Sequence, residues 1–107
     1  MSLDVYLEVV QPCEVYSRNI THNLVAMARA AGIYFELWRP DEIGIATAGQ
    51  MIEPLRRGLR WLEMNPDEAR MHNPANGWGD YEGLVMFCQS YLRACEEHPE
   101  ASVRVSR

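Results

Sequence analysis

The chain predicts an α+β fold: a small antiparallel sheet from the N- and C-terminal strands, packed against a layer of three or four helices. Three observations predict it. Residues 3–10 alternate Leu3, Val5, Leu7 and Val9 with Asp4, Tyr6 and Glu8, the two-residue period of a strand buried on one face. Residues 102–105 place Val103 and Val105 on one face at the far end of the chain. Between them, apolar residues recur at spacings of three and four, the helical period. Two isolated strands would leave backbone groups unpaired, so the C-terminal strand is expected beside the first, with helices covering one face. With 107 residues and 48% hydrophobic content, a single domain covers residues 1–107.

Taken in order, Gln11-Pro12-Cys13-Glu14 breaks the first strand, and a short second strand around Val15-Tyr16 can complete a hairpin. Asn19 is the expected cap of a helix over residues 20–31, with Ile20, Leu24, Met27 and Ala31 inward and Gly32 as its left-handed stop. Residues 33–40 read as a short helix, in preference to an extended connector, ended by the restriction Pro40 places on Arg39. Thr47 and Gln50 stand in capping-box register ahead of Ala48, Met51, Ile52, Leu55, Leu59 and Leu62. Pro54 is expected to kink or divide that helix. Asn65-Pro66 ends it and starts a further turn through Met71. The last helix, about 80–97, turns Tyr81, Leu84, Cys88, Tyr91 and Cys95 inward and stops at His98-Pro99.

The net charge of −5 argues against sequence-independent nucleic-acid binding, which draws on clustered cations. All ten basic residues are arginines, scattered except for Arg56, Arg57 and Arg60, which share a helix face as a solvated patch or a docking point for an acidic partner. Cys13, Cys88 and Cys95 form no C-x-x-C pair, so reduced thiols are expected, and a cytoplasmic setting with them. The N-terminus has no secretory pattern and no apolar run is long enough for a membrane span. The sequon Asn19-Ile20-Thr21 then reads as accidental. His22, His72 and His98 lack metal-ligand spacing, and no nucleotide, nucleophile-elbow or cofactor motif occurs, so neither metal nor cofactor is expected.

Two stretches are unusual. Asn19-Ile20-Thr21-His22-Asn23 loads polar side chains into a helix start, where Asn19, His22 and Asn23 tie down loops or wall a polar pocket. Asn76-Gly77-Trp78-Gly79-Asp80-Tyr81 places two aromatics and a carboxylate on a glycine hinge, with Asp80 as helix cap. Trp78 there either plugs the core, the ordinary outcome for an indole in a small domain, or stands in a recognition groove. Trp38, Arg39, Trp78 and Tyr81 all sit at helix boundaries, and they are expected to meet near the helix headed by Asn19 as the rim of one concave surface.

The segments Asn19 to Leu24, Ala31 to Tyr34, Leu37 to Pro40 with Glu42 to Gly44, Ile52 to Arg56, and Asn76 to Tyr81 resemble a group of small uncharacterised proteins from bacteriophages and bacteria. The resemblance spans nearly the whole chain and implies no activity, so no catalytic residue is carried over. It implies a phage-encoded accessory protein. The function expected is that of a non-enzymatic binding protein, engaging a host protein or small polar ligand through Asn19, His22, Asn23, Trp38, Arg39, Trp78, Asp80 and Tyr81. The alternatives are a small hydrolase or transferase using His22 with a nearby carboxylate, and a homodimer formed through an exposed sheet face or edge.

Overall fold

The computed structural model describes residues 1–9 and 13–107. Strand β1 (Ser2–Val9) is central in a three-stranded sheet of order β2-β1-β3, with β2 (Cys13–Thr21) and β3 (Ser102–Ser106) both antiparallel to it. The alternation read from the sequence is the one observed: Leu3, Val5 and Leu7 are fully buried. Val105 pairs with Val5 and Val103 with Leu7, so the closing strand adds its valines to the same core face. On the other face Arg104 lies 3.9 Å over the Tyr6 ring and reaches Glu8 at 3.2 Å.

The helices are α1 (Val25–Ala30), α2 (Tyr34–Trp38), α3 (Ala48–Met64), α4 (Pro66–Arg70) and α5 (Tyr81–Glu97), with 3₁₀ turns at His22–Leu24 and Pro40–Ile43. The long helices α3 and α5 pack together, and α5 meets the sheet where Tyr16 of β2 stacks on Tyr91 at 5.9 Å and its hydroxyl lies 3.0 Å from that of Ser90. The first free N–H groups of α3 are taken by the turn before β3: Ala48 donates to the Ala101 carbonyl and Gly49 to that of Pro99, each at 2.8 Å. Gly58 of α3 is a close-approach residue, because a Cβ there would stand 2.4 Å from Cγ2 of Ile33.

Three expectations are corrected. The second strand is nine residues long, so residues 19–21 are strand, and the helix expected over 20–31 begins with the 3₁₀ turn at His22. Asn19 caps nothing; Thr21 does, its hydroxyl accepting the N–H of Asn23 at 3.2 Å. The reason is that Ile20 fills a core position equally well from a strand, opposite Leu3, as from a helix face. In α3, Pro54 does not divide the helix, which runs unbroken from Ala48 to Met64. Pro54 lies in the second turn, where the carbonyl it deprives belongs to the exposed Gln50. The proposed break at Gln11-Pro12 lies outside the described residues.

Other elements follow the sequence. Gly32 stops α1 at φ 75°. Gln50 Oε1 accepts the Thr47 N–H at 3.0 Å, its half of the capping box. Asp80 caps α5 by accepting the Gly83 N–H at 2.7 Å. Of the patch Arg56, Arg57 and Arg60, two members are neutralised, Arg56 lying 2.7 Å from Glu96 and Arg57 2.9 Å from Glu36.

Candidate functional site

Six of the eight candidate residues fall into two groups about the turn 21–24: His22, Trp38 and Arg39 around α2, and Trp78, Asp80 and Tyr81 where α5 begins. Around α2, the Tyr34 ring stacks on Trp38 at 5.8 Å while the Arg29 guanidinium lies 4.0 Å over Tyr34. His22 meets Trp38 edge-on, with ring centroids 6.1 Å apart. Trp38 is only 3% exposed, so it is core and not rim. Arg39 donates to the Tyr34 hydroxyl at 3.0 Å and to Glu42 at 2.8 Å, contacts that hold the guanidinium even more firmly protonated than usual. Arg107 donates to the Trp38 carbonyl at 2.9 Å and ties the end of the sheet to the same corner. Within the group, Nε2 of His22 and Nε1 of Trp38 are buried with no hydrogen-bond partner.

The second group is the connection between α4 and α5. Asn76 Oδ1 accepts the Trp78 N–H at 2.9 Å, closing a turn that Gly77 completes at φ 76°. Gly79 adopts φ 100° and lies so close to the turn 21–24 that a Cβ would stand 2.7 Å from Cγ2 of Thr21 and 3.1 Å from Cγ of Leu24. Asn73 Oδ1 accepts the Tyr81 N–H at 2.9 Å. Tyr81 is 8% exposed, donates its phenol proton to the Leu62 carbonyl at 2.7 Å and carries the Arg70 guanidinium 4.5 Å above its ring. These bonds fix both ends of the loop. Its indole points away from them: Trp78 is 70% exposed, so the core plug expected of it is not formed.

The single rim expected for Trp38, Arg39, Trp78 and Tyr81 is therefore not built, since two of the four are buried and the other two belong to different groups. What the turn 21–24 does bring near are His22 with Trp38 and Gly79 with Thr21. Asn19 and Asn23 are exposed, Asn19 on the outer sheet face opposite Asp4. Sequence reasoning missed Tyr34, Arg29 and Glu42, which surround Trp38 and Arg39. A pairing of Arg39 with Glu42 three residues on was the available signal.

Among the described residues no group of three His, Cys, Asp or Glu side chains could hold a metal, and no helix is long and apolar enough to cross a membrane. The thiols of Cys88 and Cys95 are free, and burial pushes both up to about 12, far from a reactive state. The fold and these two groups define a small α+β protein with a presented aromatic loop. No protein-family model, curated protein or solved structure matches the chain.

Proposed function

We propose that the chain is a non-enzymatic binding protein whose anchor is Trp78, engaging a partner protein as a phage-type accessory factor in the bacterial cytoplasm. One observation supports this above the rest: an indole 70% exposed on a loop whose two flanks are fixed by Asn76, Asn73, Asp80 and the contact of Gly79 with Thr21. Tryptophan on a rigid turn loses little conformational freedom when it enters a partner's pocket, which is why it is enriched among interface anchors. Met71, 82% exposed at the other end of the same connection, offers a second apolar contact. The resemblance to small phage and bacterial proteins supports the accessory role.

Catalysis by His22 has no comparable support, since no carboxylate lies within ion-pair reach of it among the described residues. The test is affinity capture from bacterial lysate with the parent chain and with Trp78→Ala in parallel. A partner retained by the parent and lost with Trp78→Ala, at unchanged circular dichroism, is the expected result. Equal capture by both would overturn the assignment of Trp78 as the anchor.

A further inference from the structure

A second surface is built where the open edge of β2 meets α5. Strand β2 is an edge strand, and the direction of its backbone groups follows from the sheet's own bonds. The Val103 N–H points away from β1, to the Ala46 carbonyl at 2.9 Å. Val103 opposite Leu7 is thus a pair without mutual hydrogen bonds, and alternation across the sheet turns Leu3, Val5 and Leu7 toward β2. Their partners Ile20, Arg18 and Tyr16 turn back toward β1. The N–H and C=O groups of Ser17 and Asn19 therefore face outward, and both residues are exposed. The His22 N–H donating to the Met1 carbonyl at 3.3 Å continues the same alternation one step beyond the strand.

Directly beside this edge, on the helical side, lies a groove of about 330 Å³ lined by Arg18, Met86, Gln89, Ser90 and Arg93. Arg39, Arg56, Arg57, Arg70, Arg104 and Arg107 each hold a carboxylate. Among the described residues Arg18, Arg29, Arg60 and Arg93 hold none, and of these Arg18 and Arg93 line this one groove together. Glu96, one turn beyond Arg93, is committed to Arg56.

We infer that this edge and groove receive an extended, acidic segment of a partner protein, which adds to the sheet as a fourth, antiparallel strand with a carboxylate between Arg18 and Arg93. The register is dictated by the outward groups. Two residues of the incoming strand bond to Ser17 and Asn19, and the residue between them stands opposite Arg18, with its side chain on the groove side. A carboxylate there meets two guanidinium forks, with Ser90 and Gln89 as further polar neighbours and Met86 as an apolar floor for the next side chain on that face. A second copy of β2 in the equivalent register would set Arg18 against Arg18, a like-charge pair that disfavours self-association. This surface does not depend on the role proposed for Trp78.

The test is a bead library of seven-residue peptides whose central residue is Glu, Gln or Lys and whose flanking residues vary among Ser, Thr, Val and Tyr. The protein is expected to be retained on central-Glu beads about tenfold more than on central-Gln beads, and not on central-Lys beads. Arg18→Gln with Arg93→Gln should erase that preference at unchanged circular dichroism, both arginines being exposed and outside the ion pairs of the fold, while Trp78→Ala leaves it intact. For a retained peptide, N-methylation of either neighbour of the glutamate should abolish binding, whereas N-methylation of the glutamate, whose N–H points away from β2, should be tolerated. Equal retention on all three bead classes, a Glu preference that survives the double substitution, or indifference to the methylation pattern would overturn the proposal. So would a dimer in light scattering that keeps the protein off the beads, since it would assign the edge to a second copy.

Discussion

The phenol of Tyr81 donates to the carbonyl of Leu62 at 2.7 Å, and that carbonyl has no other donor within its helix, because the residue four positions on is Pro66. One hydroxyl at the start of α5 thus completes the end of α3. Tyr81→Phe keeps the ring under Arg70 and removes only the proton donor. It leaves a buried oxygen unpaired and should cost about 1–3 kcal/mol, with a fall of several degrees in Tm. A melt that superimposes on the parent's would show that the carbonyl finds another donor.

Gly58→Ala sets two effects against each other. Alanine favours the helix by about 1 kcal/mol over glycine, yet its methyl would meet Ile33 Cγ2 at 2.4 Å and Cδ1 at 2.9 Å. Ile33 is fully buried and cannot swing away, so overpacking of about 1–3 kcal/mol should win and the variant should be less stable. Adding Ile33→Ala should relieve the clash, making the double variant more stable than the sum of the single effects. Strict additivity in urea unfolding would refute the contact.

Deleting residues 101–107 removes β3, the Ala101 carbonyl that receives the first N–H of α3, and the Arg107 bond to Trp38. The loss reaches three elements, so Tm should drop by well over several degrees. An unchanged Tm would show that β3 adds nothing to the fold.

Alkaline pH should weaken the fold through the last helix. Burial pushes Cys88 and Cys95 from 9.0 up to about 12, the Glu96 charge adding to the effect on Cys95, and burial raises Tyr91 as well. Below the unfolded thiol value both states keep these protons, and stability is full. Above it the unfolded chain releases them while the folded chain does not, so stability falls from about pH 9 toward pH 12. Guanidinium unfolding at a series of pH values should show this decline, with a shallower slope in Cys88→Ala with Cys95→Ala. Equal slopes would remove the thiols from the account. In a Cys13→Ser background a thiol reagent should label neither cysteine until the protein unfolds.

The sheet was legible because β1 is buried on one face, so the pattern of Leu3, Val5 and Leu7 had a single solution. Strand β2 was legible only around Val15-Tyr16, and its extension to Thr21 was not, for the opposite reason: as an edge strand it exposes Ser17, Arg18 and Asn19, and beyond Tyr16 only Ile20 carries an unambiguous burial signal. Asn19 and Thr21 are both good caps, and choosing between them requires the pairing of Asn19 with Asp4, a contact made across the sheet. The candidate site was partly legible through its local chemistry. Asp80 as a cap and the glycines around Trp78 followed from turn physics, whereas the burial of Trp38 and the exposure of Trp78 depend on which element each turn packs against. No linear pattern shows that Gly79 lies against Thr21.

The pairing of β1 with β3 has a consequence for synthesis. The ion pair of Arg104 with Glu8 closes a separation of 96 residues, and every rung between these strands is comparably distant in the chain. During translation β1 can find β2 at once, but its other edge stays open until residues 102–106 have left the ribosome. A β1–β2 hairpin with one apolar face and an unfilled edge is the kind of species that chaperones hold and that aggregates at high expression. Delaying the last residues, by slow codons placed just before Ser102, would lengthen that exposure and lower soluble yield without altering a single side chain of the finished protein.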